Sequence, residues 1–307
     1  MKITISGLIN TETTLKINEF PIHYYPVDYP FFGIHTHVSG VAYNLAKSLH
    51  TLNNEIDIFS MIGNDYDGNH ISDQLKEDGM NHSHLQCCLK ETPSSVILYD
   101  NFGKRQVYSD LKDIQDKTLN PICMKDSIQS SDLIIACNIN FNRPLLKYAK
   151  SLGKTIATDV HVLNNIHDEY NYEFMEYADI LFLSDEQLPY RADQFLIDLK
   201  NTYSCRIIVL GQGDKGAMLY DRASDKLYHL NAVTAFPVIN TVGAGDALFS
   251  SFLNYYTKGF DPVTSLKFAE LFAAKKIGSD GASTGFITEK DLEQLYLEQE
   301  ITVCELH

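Results

Sequence analysis

Positive charge is scarce in this chain: 25 Lys and Arg stand against 40 Asp and Glu in 307 residues, a net charge of −15 with histidines neutral. A nucleic-acid binder carries a basic patch or stripe, so this balance points away from nucleic acid as a partner. It leaves room for a local basic pocket that takes a small phosphorylated ligand. No stretch approaches the roughly 20 apolar residues needed to cross a bilayer, so no membrane partner is expected. The opening residues, MKITISGLINTE, hold one lysine and an apolar run too short for a signal-peptide core. They read as a first buried strand of a cytoplasmic protein. Six cysteines are scattered with no C-x-x-C pair, which fits neither a zinc site nor a disulfide framework. Walker A text is also missing.

What is present is the composition of a folded domain, 44% hydrophobic and 21% charged. Short apolar runs alternate with helical text. Residues 2–7, 56–62, 132–137, 154–160, 179–183 and 206–210 read as strands, and 41–52 and 67–78 as helices. Continuous Ile/Leu/Val runs suit strands buried on both faces of a mostly parallel sheet, and β/α alternation indicates an α/β domain. The last third turns helical, over 245–257, 262–277 and 288–298. Two segments break the pattern. Residues 11–36 lack helical periodicity and carry six aromatic residues between Phe20 and Phe32 with three prolines. Residues 94–109 read as a hairpin around Asn101–Gly103. These excursions could pair as a small second sheet, a lid on a single α/β domain. The aromatic residues are expected to fill the contact between lid and body, with stacking on a nucleobase as the alternative.

Gly211, Gly213 and Gly216 spell G-x-G-x-x-G after a strand. A dinucleotide site needs a helix to open there, with its N-terminus toward the pyrophosphate. The following text, Ala217 to Asp221, reads instead as a second strand, so these are hairpin glycines. The stronger signal is Asn240-Thr241-Val242-Gly243-Ala244-Gly245-Asp246, followed by a helical run with Leu248, Phe252 and Tyr256 on one face. Gly243, Ala244 and Gly245 then sit at a helix N-terminus, where unpaired N–H groups and the helix dipole favour an anion. Asp246 lies in the first turn. Spacing alone does not separate a capping carboxylate from a catalytic one. His35 and His37 have no third ligand, so no metal site is assigned to protein side chains.

The heptad resembles the D-T-x-G-A-G-D signature of the PfkB/ribokinase family of sugar and nucleoside kinases. The likeness runs along most of the chain. Gly7-Leu8-Ile9-Asn10 resembles the family's first strand and substrate turn, and Ser39-Gly40 with Asn44 its G-G-x-x-x-N motif. Gly63, Asp65 and Gly68 resemble its G-x-D-x-x-G segment, and Gly213-Asp214-Lys215-Gly216 its nucleotide-side turn. The resemblance implies a ribokinase-like, doubly wound, mostly parallel sheet flanked by helices, spanning 1–307, with a lid from about 11–36 and 94–109. It implies transfer of a phosphoryl group from ATP, with Mg2+, to a hydroxyl of a small sugar or nucleoside. Asp246 would be the base, and Gly243, Ala244 and Gly245 the anion hole. Asn10, Glu12, Ser39, Gly40 and Asn44 would hold the acceptor. Ser184, Gly213, Lys215, Gly216 and Thr241 would lie on the nucleotide side.

Several positions depart from the family text. Asn240 replaces the signature's first Asp, and Ser39 the first Gly of the substrate pair. Glu12 stands where ribokinases carry Asp, and Ser184-Asp185-Glu186-Gln187 where the family writes N-x-x-E. These changes raise a second reading, a catalytically weak relative that binds sugar or nucleotide as a sensor. They also leave open whether a monovalent cation is required. Two exposed β segments could pair between subunits, so a lid-mediated homodimer is a further expectation.

Overall fold

Alternating apolar runs and amphipathic helices build this chain from its first residues, and in a computed structural model residues 1–101 and 104–306 are described. The first stretch gives β1 (Lys2–Ser6), β2 (Asn10–Lys16), β3 (Ile34–Ser39), α1 (Val41–Thr51), β4 (Glu55–Gly63) and α2 (Tyr66–Glu77). Next come β5 (Leu85–Leu89), β6 (Ser94–Tyr99), β7 (Arg105–Asp110), α3 (Lys125–Ser130), β8 (Leu133–Ala136) and α4 (Arg143–Ser151). The middle holds β9 (Ile156–Val162), α5 (Tyr172–Tyr177), β10 (Ile180–Ser184), α6 (Ala192–Thr202) and β11 (Ile207–Gly211). The chain ends with β12 (Ala217–Asp221), β13 (Lys226–Leu230), α7 (Ala244–Thr257), α8 (Pro262–Lys276), α9 (Glu289–Glu298) and β14 (Val303–Leu306).

The main sheet has ten strands in the order β14-β13-β12-β11-β10-β9-β8-β1-β4-β5. From β5 to β11 neighbours run parallel, and β12, β13 and β14 add an antiparallel edge. Successive residues of a buried strand face opposite layers. Ile135, Ile180 and Val209 therefore join a core with α1, α7 and α8, while Ile134, Leu181 and Leu210 join the other with α4, α5 and α6. The chain leaves β1 for β4 on one side and returns to β8 on the other. Such a reversal opens a crevice at the carboxyl ends of the strands, where ligands of open α/β sheets bind.

The two β-rich excursions pair in a second sheet, ordered β3-β2-β6-β7. Strands β2 and β6 run parallel, and each also pairs antiparallel with its outer neighbour. Of the turn expected around Asn101–Gly103, Phe102 and Gly103 lie outside the described residues, and β6 and β7 pair on either side of it. Between β2 and β3 no strand forms. The aromatic residues there do not fill a contact with the body: Tyr24, Phe31 and Phe32 are 87%, 85% and 97% exposed. Three prolines interrupt any ladder in that segment, so it runs off the sheet instead of folding under it. Among the described residues no helix is long and apolar enough to cross a membrane.

Helices α1 and α7 meet through polar pairs rather than apolar ridges alone. Asn44 Nδ2 donates to Asp246 Oδ2 at 2.8 Å, Ser48 and Ser250 share a hydrogen bond at 2.5 Å, and Asn54, in the loop just past α1, donates through Nδ2 to Asn254 Oδ1 at 2.9 Å. Both serines are fully buried. Apolar faces can slide by a turn at modest cost, whereas buried polar groups must meet their partners, so the pairs fix register. Ser250 also donates to the Ala247 carbonyl, an alternative Ser48 does not show. Ser250→Ala therefore strands the Ser48 hydroxyl and should cost about 1–3 kcal/mol, more than Ser48→Ala. The double variant should cost less than the sum of the singles, read from urea midpoints. Strict additivity would mean the serines are not coupled.

Candidate active site

The first turn of α7 and the first turn of α1 face each other at the carboxyl edge of the main sheet. Gly243 precedes α7 with φ 78°, the left-handed region, and a Cβ there would lie 2.5 Å from the Ala282 carbonyl oxygen. Only glycine fits that turn. The Ala244 N–H donates to the Thr241 carbonyl at 3.2 Å, and the first bond into the helix is Ala247 N–H to the Gly243 carbonyl at 3.0 Å. Helix geometry therefore gives the amides of Gly245 and Asp246 no acceptor within α7. Gly245 is exposed, with open space where a side chain would stand.

From Asp246 a line of polar groups runs into the small sheet. Asn44 donates to Asp246, and the Ser39 hydroxyl lies 3.4 Å from Asn44 Oδ1 and 3.1 Å from Glu12 Oε2. Its single proton serves one acceptor at a time. Asn10 pairs with Ser39 across β2 and β3, and its Nδ2 donates to Ser95 Oγ at 2.9 Å. The Asn10 Oδ1 is buried without a hydrogen-bond partner among the described residues. A buried acceptor left unmet is costly and suits a ligand hydroxyl. Gly40 starts α1 at φ 98°, where a Cβ would lie 2.6 Å from the Leu8 carbonyl oxygen. The five residues singled out on the acceptor side are thus brought together with Asp246.

Burial pushes Asp246 up to about 6, against the Asn44 hydrogen bond and the His161 charge, while nearby Asp159 pushes the same way. Burial also raises Glu12, and Ser39 opposes it. His161 ends β9's site edge with φ 60° and Nδ1 3.5 Å from Asp159 Oδ2. Burial would lower this imidazole, but the Asp159 carboxylate overrides it and draws the ring up to about 9. Its side chain is 40% exposed, which moderates that pairing.

Of the residues assigned to the nucleotide side, Ser184, Gly213, Lys215 and Gly216 lie at or just beyond neighbouring strand ends, and Thr241 lies in the loop before α7. Ser184 closes β10, pairs with Gly211 of β11, and its Oγ accepts the Glu186 N–H at 3.2 Å. Gly213 and Lys215 form a short 3-10 turn, after which Gly216, at φ 97°, leads directly into β12. No helix opens there, so the glycine triplet is a turn between antiparallel strands. A cleft of about 500 Å³ lined by Tyr190, Arg191, Gln212, Lys215 and His229 shares Lys215 with this group and does not reach Asp246. Thr241 receives a long contact of 3.5 Å from Arg105, whose other nitrogen stands 3.9 Å from Glu186 Oε1.

Three residues here escaped sequence reasoning: Arg105, His161 and Lys276. Arg105 carries the small sheet's charge to both Thr241 and Glu186. Lys276, fully buried at the end of α8, donates to the Val242 carbonyl. Burial pushes its ammonium down to about 8, while Asp246 and Glu12 hold it up. The doublet Lys275-Lys276 closes α8 as basic residues commonly close helices, so the sequence carries no signal that one of them turns inward. Among the described residues no three or more His, Cys, Asp or Glu side chains gather as a metal ligand set.

Comparison with known proteins identifies the family and the fold. A family model described as pfkB family carbohydrate kinase matches residues 26–289. The chain is 26% identical to fructosamine kinase FrlD of Bacillus subtilis, over 79% of this chain and 84% of the relative. It is 23% identical to a nucleoside kinase of Methanothermobacter thermautotrophicus, over 80% of each. In structure it resembles the microbiome-derived acarbose kinase Mak1, with a TM-score of 0.88, 21% identity and coverage of 96% of this chain and 99% of that one. It also resembles Arabidopsis thaliana ribokinase, solved with ribose and ATP, with a TM-score of 0.79, 16% identity and coverage of 96% and 98%. The structural likenesses establish a ribokinase fold. With the family match across most of its length, this chain belongs to the pfkB family of carbohydrate kinases and is a phosphotransferase with an alcohol acceptor.

Proposed function

We propose that this protein phosphorylates a hydroxyl of a sugar or nucleoside at the expense of ATP, with Asp246 as the base. The observation that carries this reading is the polar line from Glu12 through Ser39 and Asn44 to Asp246, ending beside the free amides of α7. Asn10, Glu12 and Asn44 would hold the hydroxyls of the acceptor and bring one of them against Asp246. Gly243 shapes the turn and Ala244 closes it, so Gly245 supplies the open amide for the migrating phosphoryl group. Phosphoryl transfer is mostly positioning and charge stabilisation, which oriented amides provide without a Walker lysine. Gly213, Lys215 and Gly216 would support the nucleotide, with Thr241 and Ser184 beside it. Mg2+, when bound with the triphosphate, would supply neutralisation of its oxygens. Asp185 and Glu186 are the carboxylates at hand for its water shell, a fit suited to a cation that keeps several waters.

The small sheet would act as a lid over this site, from about 11–36 and 94–109. Arg105 would then bring its charge to the phosphates as the sheet closes. Tyr24 and Phe32 face solvent, so the acceptor contacts within the site are hydroxyl-binding groups rather than a stacking platform. The relatives' names span fructosamine and nucleoside acceptors, whose common feature is a polyhydroxylated sugar.

Purified protein with MgATP and a panel of pentoses, hexoses, amino sugars and nucleosides should release ADP with one class of acceptor. Asp246→Asn should lower that rate by about 10²–10⁴-fold with an unchanged melting temperature. Wild-type turnover in that variant would remove Asp246 from the chemistry. The base must be unprotonated to work, and burial pushes it up to about 6. So log kcat/KM should rise with unit slope below about pH 6 and level off above it. A flat profile from pH 5 to 8 would contradict the assignment.

The lid would also join two copies. Strands β3 and β7 are edges of the small sheet, and Val107 and Tyr108 on β7 are each 52% exposed. Free edges with apolar side chains favour pairing with a second strand. Sedimentation at micromolar concentration should give a dimer, and Val107→Asp a monomer. A monomeric wild-type protein would rule this contact out.

A further inference from the structure

Lys276 is among the largest fully buried side chains of the molecule, and nothing in the proposed chemistry uses it. Its neighbour Lys275 behaves as surface lysines do, with its ammonium 4.1 Å over the ring of Phe236. Removing an ammonium from water costs several kcal/mol, and a methionine would fill the same space without that penalty. The charge therefore needs a use near its partner, the Val242 carbonyl.

That carbonyl has a particular position. It lies four residues before Asp246, so it is the acceptor the Asp246 amide would reach if α7 began one turn earlier. Lys276 engages it instead. Asn240 completes the brace, with Nδ2 donating to the Asp280 carbonyl at 2.6 Å and Oδ1 accepting the Val242 N–H at 2.9 Å. A carboxylate at 240, as in the family signature, could not donate to Asp280. Gly243 meanwhile packs against Ala282. The segment 276–282 thus grips residues 240–243 from beneath and holds α7's first amides open.

We propose that Lys276 is a built-in cation that positions the 241–246 turn for phosphoryl transfer, so that the reaction needs no dissolved monovalent cation. This rests on the kinase reading above and concerns the same site. Lys276 is a positioning residue, since it reaches the phosphoryl group only through the turn. The charged groups facing it are Asp246 and Glu12, which attract it, and Arg105, which repels it. It also favours the ionised form of Asp246.

The test compares wild type with Lys276→Met in sodium, potassium and tetramethylammonium salts. Wild type should turn over equally in all three. Lys276→Met should keep or raise the melting temperature, lower kcat roughly tenfold or more, and leave acceptor KM within about twofold. Its acidic limb should move to higher pH, because Asp246 loses a nearby positive charge. Methylammonium should restore part of the rate to Lys276→Ala, which also decides the matter if the methionine variant does not fold. Wild-type kcat in Lys276→Met, or a wild-type enzyme that works only in potassium, would overturn the proposal. If wild type turns over no acceptor, the kinase reading fails by itself. Protection of wild type by inorganic phosphate against heating, lost in Lys276→Met, then still reads the turn directly, and equal protection of both overturns the inference.

Discussion

Unpaired backbone amides are costly to hold in one place, because a chain left to itself extends the helix or turns the donors to water. The passage from Asn240 to Asp246 meets that constraint with support from three directions. Lys276 and Asn240 occupy the carbonyl and amide of Val242, Ala282 crowds Gly243 into its left-handed turn, and Asn44 holds Asp246 from α1. The acidity of Asp246 follows from the same arrangement. Packing between two helices raises its pKa, and the Asn44 hydrogen bond keeps the carboxylate aimed at the crevice. A carboxylate so placed is poised near neutral pH, where a general base is most effective.

The small sheet contributes by reach. β2 starts beside the main sheet, so Asn10 and Glu12 are set by the body while the far ends of β2 and β3 extend away. Arg105 on β7 touches Thr241 and Glu186 at the limit of hydrogen-bond and ion-pair distance. Long contacts of this kind are weak, as the proposed lid would need in order to open for exchange of substrates. The shorter hydrogen bonds, by contrast, lie in the α1–α7 seam and beneath the 240–246 turn.

Much of this was legible in the sequence, for physical reasons. Strands such as Ile180–Ser184 and Ile207–Gly211 are buried on both faces and so spell continuous apolar runs. α7 shows its start through Gly243 and its buried face through Leu248 and Phe252. The resemblance gathered Asn10, Glu12, Ser39, Gly40, Asn44 and Asp246, which spacing alone could not bring together. The edge strands β5 and β14 were not foreseen, because they are half exposed and carry polar residues such as Gln86 and Glu305. Lys276 was illegible for a different reason. Lysines in a last helical turn normally serve the helix dipole from the surface, as Lys275 does, and nothing local distinguishes the one that turns inward. The aromatic segment 20–32 misled because aromatic area usually marks an interior contact, whereas here it lies in water.

The central claim is that acceptor hydroxyl and migrating phosphoryl group meet at the first turn of α7. A crystal structure with the acceptor, MgADP and aluminium fluoride tests it most directly. The account predicts the fluoride on the Gly245 amide and the acceptor oxygen about 2.6–3.2 Å from an Asp246 carboxylate oxygen. Fluoride bound in the cleft of Tyr190 and Arg191, with Asp246 free of the acceptor, would contradict it.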